Sequence, residues 1–229
     1  VIKSLSSNKN TFVEKPLALN IDELSNIKDS YSESNARLVV GYNRRYSPHV
    51  QKIAKYLSNR VSPVCINIMV NSGKLNSSHW VHDMEVGGGR IIGEMCHFVD
   101  LSQFITKSKI VDISSFDIGT NNSNILYSDS ITSNIKFSDG SVANISYYSN
   151  GPVSFPKERI EVFSEGEVFS IDDFKTLTIH SSKKVVEASN RQDKGHKDLL
   201  KHYFNSLRDE TDLMNFDELF EVSKLMFKL

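Results

Sequence analysis

The sequence is poor in several residues that mark specialised classes of protein. Cysteine occurs twice and tryptophan once in 229 residues, which also include 11 glycines and 5 prolines. The two cysteines, Cys65 and Cys96, lie far apart within apolar segments, so we expect reduced thiols in the core rather than a disulfide framework. No internal repeat, low-complexity tract or long linker interrupts the chain.

Neither sign of charge dominates, and long apolar runs are missing. The 27 basic residues nearly balance the 28 acidic ones, which leaves no basic field to attract nucleic acid or anionic lipid. No apolar run approaches the roughly 20 residues of a membrane span, and no signal sequence opens the chain, so we expect a cytoplasmic protein without a membrane partner. The apolar content of 39% is enough for a substantial core. Because the chain begins at Val1 rather than methionine, we expect a piece of a longer protein.

The N-terminal part of the sequence predicts two strand-then-helix steps. Residues 11–14 are strand-like, and Asn20 is a typical N-cap for a helix over residues 21–33. Residues 38–42 predict a buried strand, and Pro48 then begins a second helix. A strand over residues 64–70 is followed by a polar loop and by a helix over residues 91–105.

From residue 110 onward, alternating strands with hairpin signals predict a sheet of about six strands. Asp139-Gly140 and Glu165-Gly166 are typical of tight primed turns. The predicted strands cover residues 130–137, 142–148, 159–163, 167–171, 177–180 and 185–187. Two helices follow, the second capped near Asn215. The fold class is therefore α+β, an open and mostly antiparallel sheet with helices on one face.

Three consecutive glycines precede the helix predicted over residues 91–105. Gly87-Gly88-Gly89 is not a dinucleotide-binding loop, because that loop needs G-x-G-x-x-G directly after a strand, and this spacing occurs nowhere in the sequence. The glycines instead predict a close backbone approach at a helix start. On the following helix, the spacing of Glu94, His97 and Asp100 brings an imidazole near two carboxylates. Either this is a proton-transfer group, or the helix forms salt bridges with itself.

Three segments resemble one family of oxidoreductases. They are FVEKPLA from Phe12, VGYNRRYSP from Val40 and GGGRIIGEMCHFVD from Gly87. In order and separation they resemble the glucose-fructose oxidoreductase, inositol dehydrogenase and rhizopine catabolism (Gfo/Idh/MocA) family. WVHD from Trp80 and FPKER from Phe155 are similar to one variety of it, the Gfo/Idh/MocA half of two-part dehydrogenases. In that variety a zinc-type alcohol dehydrogenase-like half comes first, and the group is associated with bacterial surface polysaccharide synthesis.

The resemblance implies a division of the chain and a set of ligands. Residues 1–16 match the tail of a Rossmann NAD(P)-binding domain that is otherwise missing. Residues 17–229 match a substrate-binding and oligomerisation domain, whose fold is that of the glyceraldehyde-3-phosphate dehydrogenase C-terminal domain. The implied cofactor is NAD or NADP, held mainly by the missing domain, and the implied substrate is a small sugar or polyol. We also expect a homo-oligomer that forms through an apolar open face of the sheet.

The resemblance also assigns roles to individual residues. The Glu14-Lys15-Pro16 segment matches the motif that contacts the nicotinamide, with a cis peptide before the proline. The resemblance implies that its lysine helps to polarise or deprotonate the reacting hydroxyl. From the residues alone, such a lysine is more often part of a surface turn. His97 matches the histidine that exchanges a proton with that hydroxyl. The family's aspartate one turn earlier is replaced by Gly93, and the neighbouring Glu94 is turned by about 100° around the helix. Glu94 therefore reaches the site by another route or pairs with Arg90.

Further side chains are candidates for binding the substrate. Tyr42, Arg44 and Arg45 match the segment that borders the family's substrate pocket, where an arginine binds a carboxylate or phosphate in a bidentate manner, or else forms a salt bridge at a domain interface.

A second group of candidates follows in the polar loop. Trp80, His82 and Asp83 predict a pocket rim, with the indole against a sugar ring. His79 and Glu85 complete a group that looks superficially like metal ligands, but its spacing is not that of a closed tetrahedral site, so we expect no metal.

The function implied by the resemblance is hydride transfer between NAD(P) and a hydroxyl carbon of a sugar, sugar derivative or polyol. Two alternatives remain open at this point. The first is an inactive sugar-binding or dimerisation module, because Gly93 replaces an aspartate of the family. The second is a non-redox sugar lyase or hydrolase, because proton abstraction beside a carbonyl needs the same lysine and histidine.

Overall fold

An eight-stranded mixed sheet lies at the centre of the structure, a computed structural model that describes residues 1–76, 78–118, 129–189 and 191–229. Its strands are β3 (Cys65–Asn71), β4 (Ile110–Asp117), β5 (Ile131–Phe137), β6 (Val142–Tyr148), β7 (Glu158–Ser164), β8 (Glu167–Asp172), β9 (Thr176–His180) and β10 (Lys184–Ala188). Their order is β10-β9-β8-β7-β3-β6-β5-β4, and β3–β6 is the one parallel pairing among these neighbours. The prediction of six strands is wrong, because β3 inserts between β6 and β7 and β4 adds an edge.

A second, small sheet precedes the large one. Strands β1 (Thr11–Val13) and β2 (Leu38–Val40) pair in parallel, joined by helix α2 (Ile21–Ser32). The other helices are α1 (Ile2–Ser6), α3 (Pro48–Tyr56), α4 (Cys96–Thr106), α5 (His196–Arg208) and α6 (Phe216–Met226). Among the helices within the described ranges, none is both long and apolar enough to cross a membrane.

The two faces of the large sheet differ in chemistry. On the covered face, Ile66, Ile68 and Ile145 are fully buried in a core that continues into the helices. The α+β class, with helices on one face of an open sheet, is confirmed. The open face is not the apolar surface that the sequence predicted. Asparagines and ion pairs occupy much of it, since period-two alternation places polar residues opposite the core.

A small apolar patch remains on the open face. Cys65 pairs in register with Val142 on one side and Phe163 on the other, and the latter two are 45% and 44% exposed. The prediction of a buried Cys65 is therefore wrong, since its side chain points away from the core. Cys96 is buried as expected, and burial raises the pKa of its thiol to about 12.

Several local predictions are confirmed by the backbone. The Asn20 side chain accepts the Glu23 amide at the start of α2. Glu165 and Gly166 both have positive φ, as a primed turn requires. The helix predicted over residues 91–105 is present, but it opens with a π-helical turn, Ile91–Met95, before α4. π-helical turns are rare and often mark functional sites.

Gly195 fixes the loop before α5 against the chain after β2, so its substitution is expected to reduce stability. Its φ is +84°, and a Cβ there would lie 2.4 Å from the Asn43 carbonyl oxygen and the Ser47 nitrogen. Gly166 has nearly the same φ, +85°, but has open space around it. We expect Gly166→Ala to cost about 1 kcal/mol of unfolding free energy and Gly195→Ala at least about 3 kcal/mol, measured by urea unfolding. Equal losses would mean that the close approach at Gly195 is not a constraint.

Candidate active site

Lys15 lies between β1 and α2, and its side chain reaches the π-helical turn that precedes α4. It is the second residue after β1, and its Nζ donates a hydrogen bond of 2.6 Å to the carbonyl oxygen of Gly93. The Lys15–Pro16 peptide is cis, as the resemblance implies. Since an ammonium has three N–H donors, the bond to Gly93 leaves two of them for a ligand.

His97 lies on the first turn of α4 and is nearly enclosed. Its side chain is 7% exposed, and its Nδ1 has no hydrogen-bond partner among the residues that the structure describes. The Tyr42 ring packs edge-on against the imidazole, with 6.0 Å between ring centroids. Burial holds the pKa of His97 well below its usual value, and the positive charges of Arg44, Lys15, His196 and Lys194 add to that shift. The imidazole is therefore neutral near neutral pH, the form that accepts a proton.

The expected grouping of His97 with two carboxylates is not formed. Asp100 is fully buried, and its carboxylate accepts hydrogen bonds from the guanidinium of Arg45. Nη2 donates to Oδ1 at 2.5 Å, and Nε donates to both carboxylate oxygens. Burial raises the pKa of Asp100 to about 6, although Arg45 opposes that shift. Glu94 accepts a 2.5 Å hydrogen bond from the Tyr147 hydroxyl. Each carboxylate of the predicted triad therefore has a partner other than the imidazole.

The π-helical turn explains where Glu94 points. A π-helical turn contains more residues than an α-helical turn, which changes the angle between Glu94 and His97. Glu94 is turned toward β6, where it meets Tyr147, and its Oε2 lies 4.0 Å from Arg90 Nη2. The predicted pairing of Glu94 with Arg90 is therefore confirmed only in part, because the two charged groups lie 4.0 Å apart. Tyr147 is not identified as a site residue from the sequence, because no local signal distinguishes it from its neighbour Tyr148.

At the position of the family's aspartate, the structure presents a backbone carbonyl. A Cβ at Gly93 would lie 3.3 Å from the carbonyl oxygen of Gly87, so the glycine-rich loop approaches the helix closely there. This confirms the close approach predicted from the triple glycine. The Gly93 carbonyl oxygen accepts the hydrogen bond from Lys15. A neutral acceptor thus takes the place of a carboxylate beside this ammonium.

Both arginines of the NRRY segment are engaged in buried ion pairs. Arg44 donates two hydrogen bonds to Glu158, from Nη2 at 2.8 Å and from Nε at 3.1 Å. Lys194 Nζ donates to the same carboxylate at 2.6 Å. Burial would raise the pKa of Glu158, but Arg44 and Lys194 outweigh burial and hold it below its usual value. The structure therefore favours the salt-bridge interpretation of Arg44 and Arg45, with both pairs inside the chain.

Tyr42 is a supporting residue rather than a surface for ligand. Its side chain is fully enclosed, and burial raises the pKa of its hydroxyl well above the usual value. The predicted contact with substrate does not fit this position. Its contribution is the ring that packs against His97.

The loop before the glycines forms an exposed edge. Trp80 is 62% exposed, which agrees with a rim position. His82 Nδ1 lies 3.6 Å from Asp129, and Asp83 caps the amides of Glu85 and Val86. Over the described part of the chain, no group of three or more histidine, cysteine, aspartate or glutamate side chains is arranged to hold a metal ion.

Glu158 and Lys194, like Tyr147, are residues of the site that the sequence analysis missed. They lie 114 and 150 positions beyond Arg44 along the chain, and neither stands in a motif that predicts an ion pair. Glu158 begins β7, while Lys194 lies in the loop before α5. Only the folded arrangement brings them together.

The fold of this chain is shared with solved structures of oxidoreductases. No protein-family model matches this chain. Solved structures of Gfo/Idh/MocA-type oxidoreductases share its fold, and they confirm the fold that the resemblance implies. The dehydrogenase MviM from Clostridium difficile matches 99% of this chain and 73% of its own, with 21% identity and a TM-score of 0.78. UDP-N-acetylglucosamine 3-dehydrogenase GnnA from Acidithiobacillus ferrooxidans matches 99% and 71%, with 18% identity and a TM-score of 0.79.

One curated relative matches most of the sequence. It is the uncharacterized oxidoreductase YrbE from Bacillus subtilis, 22% identical over 212 residues. The match covers 91% of this chain and 60% of YrbE. The chain thus spans less than two thirds of that relative's length.

The enclosed, neutral His97 generates a prediction about stability and pH. Its pKa is lowered in the folded protein, so the unfolded protein binds more protons below about pH 6.5. The stability is therefore complete above that pH and falls as the pH drops below it, by up to about 1.4 kcal/mol per pH unit. We expect His97→Asn to reduce this loss between about pH 7 and pH 5.5, measured by urea unfolding. His180→Asn, at an exposed histidine, is the control and keeps the parent slope. Parallel curves for His97→Asn and the parent would contradict a buried neutral imidazole.

Proposed function

We propose that this chain is the substrate-binding and catalytic domain of an NAD(P)-dependent oxidoreductase that acts on a hydroxyl of a sugar, sugar derivative or polyol. The observation that carries the proposal is the pairing of two groups at the start of α4. Lys15 presents an ammonium there, and His97 presents a buried, neutral imidazole without a partner at Nδ1. The oxidoreductases that share the fold support this choice of reaction.

The residues of the chain fit one end of a nicotinamide cofactor. The cofactor accepts or supplies the hydride when it is bound. Glu14, Lys15 and Pro16 lie at the end of β1, where the exposed Glu14 and the cis peptide match the nicotinamide-contacting motif of the family. The chain has no pyrophosphate-binding G-x-G-x-x-G sequence, so we assign the rest of the cofactor to a Rossmann domain.

The two groups divide the work on the substrate hydroxyl. Oxidation of an alcohol releases the hydroxyl proton as the carbonyl forms, and neutral His97 is placed to take it. The Lys15 ammonium stabilises the negative charge that develops on the oxygen. Burial strengthens this interaction, because water is largely excluded around the imidazole. In the reverse direction, the same histidine returns the proton.

Glu94 and Tyr147 complete the site at a second position. Their hydrogen bond leaves the other carboxylate oxygen of Glu94 free for a substrate hydroxyl, and the Glu94 side chain is partly exposed. We assign them to orientation of the substrate rather than to proton transfer. A sugar substrate is supported by the likeness of the WVHD and FPKER segments to dehydrogenases associated with surface polysaccharide synthesis.

These roles predict a turnover defect in the full-length protein with its NAD(P)-binding domain. We expect His97→Ala and Lys15→Ala each to lower kcat by about a hundredfold or more, because each removes a group that acts on the reacting oxygen. Glu94→Gln lowers it less. The controls are His180→Ala and Lys183→Ala, which change exposed side chains of the same types. The measurement is NAD(P)H formation at saturating substrate, with folding checked by circular dichroism. Near-normal kcat in both site variants would favour the binding-module alternative.

We also propose that two copies of the chain associate through the open face of the large sheet. The support is the patch of Val142, Cys65 and Phe163, three apolar neighbours on adjacent strands that are exposed to solvent. Polar ladders surround the patch, including the hydrogen bond between Asn134 and Asn144. An apolar centre with a polar rim is the usual anatomy of a protein interface.

The association makes a prediction for oligomeric state. We expect a dimer or higher oligomer by light scattering, and Phe163→Lys weakens it at least tenfold, because a buried, unpaired ammonium is costly. Val61→Lys, at an exposed loop residue, is the control and leaves the mass unchanged. A monomeric mass at every concentration would rule out the interface.

A further inference from the structure

The buried cluster beside His97 carries more positive than negative charge. Glu158 is fully buried, and its carboxylate is shared by the Arg44 guanidinium and the Lys194 ammonium. Two cations against one carboxylate leave a net charge of about +1 at the cluster. Arg44 is oriented by its bidentate hydrogen bonds, whereas Lys194 gives Glu158 a single bond and keeps two N–H donors.

Lys15 adds a second uncompensated charge to the same region. Its hydrogen-bond acceptor, the Gly93 carbonyl, is neutral, and within the described residues Lys15 takes part in no ion pair. Lys15, Arg44 and Lys194 all act on the imidazole of His97 with the same sign. Arg44 is buried and the two lysines are partly buried, so water screens their charges only in part, and a bound anion would stabilise them.

The loop that carries Lys194 is fixed over the site. The Asn43 side-chain amide donates to the Lys194 carbonyl oxygen at 2.7 Å, and Gly195 lies against the backbone of the Asn43–Tyr46 turn. Helix α5 begins at His196 without a side-chain cap, so the positive end of its dipole adds to the same field. Both the ammonium and the helix end are therefore held in place before any ligand binds.

We propose that the substrate of this site carries a negatively charged group, a carboxylate or a phosphate on the sugar, and that Lys194 and Lys15 bind it. The inference rests on the proposed function, since it names the substrate class of the same site. An anion there neutralises the excess charge and uses the N–H donors that Glu158 and Gly93 leave free. His97, with its unpartnered Nδ1, faces the same ligand.

The test compares charged and neutral sugars on the chain and on matched variants. Titration calorimetry with D-glucuronate, D-glucose 6-phosphate and D-glucose separates a carboxylate, a phosphate and a neutral ligand. We expect at least one anionic sugar to bind at least tenfold more tightly than glucose, with an affinity that falls as salt is added. Equal affinity for glucose and for both anions, or binding of neither anion, overturns the proposal.

Variants at Lys194 locate the bound anion. Lys194→Gln leaves Arg44 and Glu158 as a balanced pair, so the chain is expected to fold, and it loses at least tenfold in affinity for the anion. Lys194→Arg keeps the charge and restores most of the affinity. Lys197→Gln, on the exposed surface of α5, is the control and binds as the parent does. Unchanged anion affinity in Lys194→Gln overturns the proposal.

A third measurement reports on the site without activity. The His97 imidazole is followed by NMR across pH, because an anion bound beside it raises its pKa, while a neutral sugar does not. This separates the inference from the proposed function. If hydride is transferred from a neutral polyol and this transfer depends on Lys15 and His97, the proposed function stands and the proposed anion site is wrong. Anion binding at Lys194 without hydride transfer from any sugar acid would do the reverse.

Discussion

The carboxylate of Glu158 is the interaction on which the candidate site depends. It lies at the first residue of β7, fully buried, and it joins three segments that are remote in sequence. Arg44 approaches from the turn after β2, and Lys194 from the loop before α5. A buried carboxylate is tolerated only when it is neutralised and hydrogen-bonded, so these segments cannot separate without a large electrostatic cost. The small N-terminal sheet is thereby fixed to the first residue of β7, a central strand of the large sheet.

Arg45, the residue after Arg44, fixes α4, the helix that carries His97, through a second buried ion pair. Arg44 and Arg45 are consecutive in one 3-10 turn, yet their guanidinium groups reach different elements, Glu158 in the sheet and Asp100 in α4. Asp100 lies one turn after His97, so the pair fixes both the position and the rotation of the imidazole. The two arginines that match the family's pocket segment thus form ion pairs within the chain, and these pairs position the segments around His97.

What the sequence predicts well is local. A cap at Asn20 and a turn at Glu165-Gly166 depend on neighbours a few residues away, and both are present. Resemblance to a family adds the cis peptide at Lys15, which no periodicity signals. The sequence does not predict the partner of Glu94, because a π-helical turn alters the helix angle. Nor does it predict the ion pairs or the insertion of β3 between β6 and β7, since these depend on contacts about a hundred residues apart.

The positive charges around His97 bear on both groups of the proposed proton transfer, the imidazole that accepts the proton and the hydroxyl that gives it up. Arg44, Lys15 and Lys194 weaken the imidazole as a base, because they disfavour its protonated form. Under the proposed function, the same charges would stabilise an alkoxide and so would lower the pKa of a bound hydroxyl. Proton transfer depends on the difference between the two pKa values, so a site that lowers both keeps the transfer feasible. An anionic group on the substrate would then restore part of the basicity of His97 when the ligand binds, which couples recognition of the substrate to activation of the base.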